Sequence, residues 1–127
     1  MSPKAYAYNQ TRQKYLATEL EVANTRWTRL RGLLGTDAGE FSSGKGLWIV
    51  PCRGVHTLAM RFPIDVIYLD SKHTVVHMEE NLRPWRIAPV SLKTTTVLEL
   101  PPSTLSQTET RLGDTIDIHI EQNGAQQ

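Results

Sequence analysis

The sequence predicts an α+β domain in which β structure dominates, folded as a small barrel-like or rolled sheet. Short apolar and β-branched runs recur along the chain, and Gly, Pro or Asp residues separate them. Only one segment shows the spacing of an amphipathic helix. We therefore expect six to seven short strands with one or two short helices.

The strand predictions follow hydrophobic alternation and turn residues. The run Ile64 to Leu69 is almost wholly β-branched or aromatic, which is typical of a strand buried on both faces. Asp70 to His73 supplies turn residues, and an apolar run follows, so we predict a hairpin there. The expected strands cover residues 15–22, 47–50, 64–69, 74–78, 95–100 and 115–120.

One helix is predicted between the first two strands. Asn24 or Thr25 can cap it, and apolar residues over 27–34 are spaced three and four apart. Gly35 is a natural end for this helix. The stretch 36–46, rich in Gly, Ser and Asp, is predicted to be a surface loop.

The length of 127 residues suits one domain. Both ends are polar and lack periodicity, and no linker or internal repeat divides the centre. We therefore predict an irregular lead-in over 1–14, a single globular domain over 15–121 and a frayed tail over 122–127.

Charge and cysteine content restrict the class of protein. The 14 basic and 13 acidic residues give a net charge of +1, which provides no strong field toward nucleic acid or acidic membranes, so neither partner is predicted. Cys52 is the only cysteine, so no intrachain disulfide can form. The N-terminus has no apolar secretory segment, and no apolar run is long enough to span a bilayer. We predict a soluble, cytoplasmic protein.

Asp65 is the most conspicuous candidate site residue, because its neighbours favour burial. A buried carboxylate without partners costs several kcal/mol or takes up a proton. One interpretation is a catalytic or ligand-orienting acid with a perturbed pKa. The other is a structural carboxylate that accepts backbone N–H bonds or pairs with Arg61 or Arg83.

His56 and Thr57 lie shortly before that strand. His56 could act as a general base oriented by Asp65, and Cys52 could add a nucleophile. The local sequence patterns of known thiol enzymes are absent, however. Cys52 and His56 are four residues apart, but no paired ligand motif accompanies them, so neither a metal nor another cofactor is predicted.

The segment Arg83-Pro-Trp85-Arg86 predicts recognition. Arginine forks suit carboxylate or phosphate, and a Trp on a loop offers a flat apolar face. The alternative is that Trp85 closes one end of the barrel while the arginines pair with acids such as Glu99. Glu99, between two leucines of a strand, is itself the natural partner for a buried arginine.

Eight short stretches form a pattern along the chain: Arg31 to Leu34, Gly46-Leu47, His56-Thr57, Met60 to Asp65, Tyr68 to Asp70, Leu82 to Trp85, Val97 to Pro101 and Gly113-Asp114. Taken together and in this order, they resemble the domain of unknown function 192 family. The resemblance implies a small, mostly β, barrel-like domain and no assigned activity. Relatives usually have a helix after the Leu-Glu-Leu-Pro run, but here Pro102 to Thr110 has a different composition, so the resemblance does not predict whether this chain forms that helix.

The functional prediction is a non-enzymatic binding or accessory module for a small polar or anionic ligand or a peptide. Polar and aromatic residues clustered in loops around an apolar hairpin favour it. A small hydrolase or isomerase using Asp65 and His56 is the first alternative. A structural or assembly protein that pairs through strand edges is the second. The predicted ligand-binding residues are His56, Thr57, Arg61, Asp65, Arg83 and Trp85.

Overall fold

The computed structural model describes residues 5–23, 41–51, 62–83 and 92–120. These ranges contain eight strands and one helix. In chain order they are β1 Tyr6–Asn9, β2 Lys14–Ala17, β3 Glu19–Ala23, β4 Lys45–Ile49, β5 Ile64–Leu69, β6 Val75–Leu82, β7 Thr96–Leu100, α1 Thr104–Thr108 and β8 Ile116–His119.

The prediction of a mainly β fold is confirmed. The strands form a three-stranded sheet in the order β2-β1-β8 and a five-stranded sheet in the order β3-β4-β7-β5-β6. Among the described strands, the two sheets do not join into a closed barrel. The structure describes eight strands, where six or seven were expected. The difference has two causes, and both lie near the N-terminus.

The first reason is β1, which lies within the segment expected to be an irregular lead-in. It pairs antiparallel with β2 on one side and with β8 on the other. Its core-facing residues are Ala7 and Asn9, both fully buried. A small residue and a polar one do not produce a hydrophobic pattern, so period-2 analysis does not detect this strand.

The second reason is that the run predicted as one strand over 15–22 forms two. The break is at Thr18, where the backbone N–H groups of Thr18 and Glu19 both donate to the carbonyl of Gly44, each at 2.9 Å. The chain passes here from the small sheet to the large one, where β3 pairs parallel with β4. The predicted loop over 36–46 is correspondingly shorter, because β4 begins at Lys45.

The predicted hairpin is confirmed. All six residues of β5 are buried, and β5 pairs antiparallel with β6. Asp70 organises the turn, since its Oδ1 accepts the backbone N–H of Lys72 and of Thr74, each at 2.9 Å. This is the local bonding by which Asp favours turns.

The large sheet has two buried faces. One, here called the Asp65 face, carries Asp65, Ile67, Leu69, Leu98 and Leu100 and packs against the small sheet and α1. The other, here called the Glu99 face, carries Ile64, Val66, Tyr68, Val97 and Glu99, and Phe41 and Phe62 pack on it. Because side chains alternate along a strand, neighbours in sequence lie on opposite faces.

Gly46 brings the two sheets close together. A Cβ at this position would lie 2.8 Å from the Cβ of Ala17 and 3.2 Å from Leu100, so only glycine fits without displacement of a neighbouring strand. This contact explains why glycine stands in β4 despite its weak strand propensity.

The predicted helix over 27–34 and the predicted tail over 122–127 lie outside the described residues. The described helix, α1, follows β7, at the place where the sequence did not decide whether a helix forms. None of the described helical structure is long and apolar enough to cross a membrane.

Candidate functional site

Asp65 lies in β5 with its side chain on the Asp65 face, and it is 1% exposed. Its Oδ1 accepts the backbone N–H of Asn81 at 2.8 Å, and its Oδ2 accepts that of Leu105 at 2.9 Å. Asn81 belongs to the irregular pairing of β6 with β5, and Leu105 is in the first turn of α1. The carboxylate therefore bonds backbone donors that the sheet and the helix leave unpaired.

The contact with α1 replaces a local helix cap. Ser103 at the N-cap makes no side-chain capping bond and has a left-handed backbone. A carboxylate from across the sheet bonds the helix instead, as an acceptor beside a helix N-terminus should. Of the two interpretations of Asp65, the contacts match the structural one.

Glu99 is the second buried acid of the large sheet, in the central strand β7. It is opposite Leu47 of β4 and Val66 of β5, and it is 3% exposed. Its Oε1 has no hydrogen-bond partner among the described residues. Burial without compensation raises the pKa of Glu99 to about 8, so the side chain is largely a neutral carboxylic acid at pH 7.

A polar group flanks Glu99 on the same face. The Tyr68 ring contacts the His77 ring edge-on, with centroids 4.9 Å apart. The Nε2 of His77 lies 2.5 Å from the Oε2 of Glu79 in β6. Glu79 is opposite Val66, which is in turn opposite Glu99. The Glu99 face therefore presents a neutral acid at its centre and a His–Glu pair toward one edge.

Asp65 and Glu99 do not share a site. They are on adjacent antiparallel strands, with Asp65 opposite Leu100 and Glu99 opposite Val66. This register places them on opposite faces of the sheet. A group on the Glu99 face is therefore separated from Asp65 by the sheet itself.

The other predicted site residues are mostly beyond the described ranges. Arg83 follows β6 and is exposed. His56, Thr57, Arg61, Trp85 and Cys52 lie outside the described residues, so their convergence with Asp65 stays a prediction.

A metal site receives no support from residues 5–23, 41–51, 62–83 and 92–120. Within them no three His, Cys, Asp or Glu side chains are grouped closely enough to hold an ion. The described acids have other roles: Asp65 bonds backbone N–H groups, and Glu79 pairs with His77.

Glu99 was not among the predicted site residues. The sequence carried one usable signal, an acid between Leu98 and Leu100 in a predicted strand. We interpreted it as the partner of a buried arginine, but no described arginine contacts its Oε1. Burial of β7 on both faces is what makes Glu99 exceptional, and that burial depends on strands distant in sequence.

Comparisons with known proteins agree on the fold. A crystal structure of a protein of unknown function from Novosphingobium aromaticivorans DSM 12444 superposes with a TM-score of 0.76, covering 89% of this chain and 83% of that one at 18% identity. A protein from Sinorhizobium meliloti 1021, described as a candidate transcription regulator, gives a TM-score of 0.71 over 90% and 91% of the chains, also at 18% identity. At these identities the likeness shows the fold alone.

Sequence comparison identifies the family. A UPF0127 protein of Thermococcus sibiricus is 29% identical over 119 residues, which is 90% of this chain and 75% of that protein. The model of the DUF192 family, described as "Uncharacterized ACR", matches residues 7–118. The resemblance noted from the landmarks is confirmed, and this chain belongs to the DUF192 family.

Proposed function

We propose that this protein is a non-enzymatic binding module whose central ligand-binding group is the buried carboxyl of Glu99. Its ligand is a small polar or anionic molecule, or a peptide, that offers an oxygen acceptor. The observation that carries the proposal is the Oε1 of Glu99, buried in the centre of the sheet without a hydrogen-bond partner among the described residues.

An unpaired buried polar atom costs roughly 1–3 kcal/mol, so folded proteins contain few of them. Replacing Glu99 with leucine would avoid this cost. A ligand that bonds the carboxyl group recovers part of it on binding, which supports a role in recognition rather than in packing.

The protonation state of Glu99 defines the ligand chemistry. A neutral carboxylic acid donates one hydrogen bond and accepts others. It can therefore face a carbonyl or a carboxylate oxygen without repulsion, which an ionised glutamate cannot do. An anionic ligand, as predicted from the arginines around Trp85, is compatible with an acid in this state.

The enzymatic alternative, in which Asp65 acts as the catalytic carboxylate, has less support. Each oxygen of Asp65 already accepts a backbone N–H, and removing either bond would uncap α1 or the irregular segment of β6. Assembly through strand edges also finds little support at β6, because Glu79, Glu80 and its irregular pairing oppose edge-to-edge association. The cytoplasmic location remains a prediction.

The test is a thermal-shift screen of succinate, citrate, acetamide and short glycyl peptides at pH 7. We expect at least one probe to raise the melting temperature of the wild type. Glu99→Leu should abolish that shift, and Glu99→Gln, which retains a donor, should keep much of it. Glu21→Gln is the matched control. Glu21 is an exposed glutamate of the same sheet, opposite Leu47, which is itself opposite Glu99.

The pH dependence of binding separates recognition from packing. In the wild type the shift should weaken as pH rises through about 8, where Glu99 ionises and loses its donor. In Glu99→Gln it should not change over that range. If no probe gives a Glu99-dependent shift while Glu99→Leu is more stable than the wild type, Glu99 is a core residue and the proposal is wrong.

A further inference from the structure

A second group of buried polar atoms lies on the Asp65 face, at the end of the sheet near the β5–β6 turn. Its members are the Nε1 of Trp48, the Oγ1 of Thr94 and the Oγ1 of Thr96, and none has a hydrogen-bond partner among the described residues. Thr94 is 1% exposed and Thr96 is 7% exposed. Unlike Glu99, these groups are uncharged at any ordinary pH.

The sheet register brings these side chains together. Trp48 is opposite Leu98, and Thr96 is opposite Leu69. Both partners lie on the Asp65 face, so Trp48 and Thr96 are diagonal neighbours there, with Cβ atoms on the order of 7 Å apart. Thr94 is two residues before Thr96, and buried and exposed residues alternate from Thr94 to Thr96, so both threonines face the interior.

This group is separate from both carboxyl groups discussed above. Glu99 is on the opposite face. Asp65 is four residues from Leu69 along β5, or roughly 13 Å at the rise of an extended strand.

The chemistry of the three atoms favours an acceptor. An indole N–H can only donate, and each hydroxyl can donate once. Three unpaired donors on neighbouring positions of the sheet match the oxygens of a carboxylate. Asp70, at the β5–β6 turn, has its Oδ1 engaged by two turn N–H groups, and Lys72 and Lys93 lie in the adjoining segments.

The His73 ring closes one side of the group. It meets the Trp48 indole edge-on, with centroids 5.6 Å apart. The backbone of His73 has a φ of 61° and is tied by its N–H to the Asp70 carbonyl and by its carbonyl to the N–H of Ile116. These bonds anchor the backbone that carries the ring at the end of the sheet, beside the indole.

We propose that Trp48, Thr94 and Thr96 form a binding site for a carboxylate group, carried by a free monocarboxylic acid or by the C-terminus of a peptide. The site is built from neutral donors on two neighbouring strands. It offers directional hydrogen bonds and no ion pair, which suits reversible binding of a small acid.

The test follows the indole N–H resonance of Trp48 in protein labelled with ¹⁵N-tryptophan. The chain has three tryptophans, and Trp48→Phe identifies the signal. Titration with acetate, with sodium chloride at equal ionic strength as reference, should move the Trp48 resonance downfield and leave the other two in place. N-acetylglycine in a parallel titration shows whether a peptide carboxylate binds more tightly than the free acid.

Three substitutions define the site. Thr94→Val and Thr96→Val each remove one hydroxyl with little change in shape, and each should weaken acetate binding about tenfold, the value of a hydrogen bond of roughly 1.4 kcal/mol. Thr95→Val is the matched control, because the Thr95 hydroxyl bonds the carbonyl of Leu69 instead. Glu99→Gln should leave this titration unchanged, which separates failure here from failure of the Glu99 proposal.

Two outcomes would overturn the site. If neither carboxylate moves the Trp48 resonance beyond the chloride reference, the three atoms bond internal water, for which a buried polar site of this type is a normal place. If the resonance moves equally in Thr95→Val, Thr94→Val and Thr96→Val, acetate binds elsewhere and the threonines are not part of its site.

Discussion

Asp65 and Glu99 are buried acids on neighbouring strands of one sheet, and they differ in how the fold treats them. Asp65 accepts two backbone N–H groups, one from β6 and one from α1. Glu99 has an oxygen without a partner among the described residues, and burial raises its pKa to about 8. Nearly equal exposure therefore gives one carboxylate bonded to the backbone and one neutral acid with an oxygen that has no described partner. What distinguishes them is which donors reach each face of the sheet.

The largest expected effect is from Asp65→Ala. The substitution removes the acceptor of the part-buried Asn81 N–H and of the buried Leu105 N–H, and a buried group without a partner costs roughly 1–3 kcal/mol. We expect the free energy of unfolding to fall by about 3–5 kcal/mol, measured by urea denaturation. Glu99→Ala is the comparison and should cost less, since it breaks no described hydrogen bond at Oε1. An equal loss in both variants would contradict the distinction drawn here.

The second prediction concerns the pH dependence of stability. The pKa of Glu99 is about 8 in the folded protein, against an ordinary 4.5. Between these values the native state holds a proton that the unfolded chain has released. The free energy of unfolding should therefore fall as pH rises, by up to roughly 1.4 kcal/mol per pH unit across the window.

The variants Glu99→Gln and Glu21→Gln isolate this effect. The first should remove the downward slope between pH 5 and pH 8, and the exposed Glu21 should leave it as in the wild type. Denaturation at several pH values measures both. A slope that survives in Glu99→Gln would show that another group carries the titration.

The smallest expected effect concerns Asp114, a third buried acid that is bonded mainly by side chains. Burial disfavours its charge, but hydrogen bonds from Arg12, Asn9 and the Arg111 N–H outweigh this and lower the pKa of Asp114. Asn9 contributes its Nδ2, 2.9 Å from Oδ2. Asn9→Ala should cost about 1–2 kcal/mol at pH 7.

The free energy of unfolding measured at acidic pH tests this prediction. The pKa of Asp114 is lower in the folded protein than its ordinary 3.8. The ionised carboxylate therefore contributes fully to the free energy of unfolding above pH 3.8. That contribution is lost as pH falls through the pKa of the folded state. The difference between the wild type and Asn9→Ala should therefore shrink at strongly acidic pH. A difference that stays constant would assign the cost to packing of Asn9 alone.

The sequence predicted the hairpin of β5 and β6, and the strands β4, β7 and β8, because their patterns are local. The run Ile64 to Leu69 is apolar throughout, Asp70 begins a turn, and alternating isoleucines mark β8. It missed β1 because Ala7 and Asn9 face the core there. A strand that buries small or polar residues is recognised only from its partners.

The sequence by itself determined the fold class, the family and the fact that Asp65 needs partners, since each follows from residue types and their order. Only the tertiary structure decided what those partners are, and that Glu99 lacks one at its Oε1 among the described residues. Asp65 bonds Leu105, 40 residues away, and Glu99 is flanked by β4 and β5, two strands distant from it in sequence. Hydrogen bonds and desolvation of this kind depend on distances across the fold, which local sequence patterns do not contain.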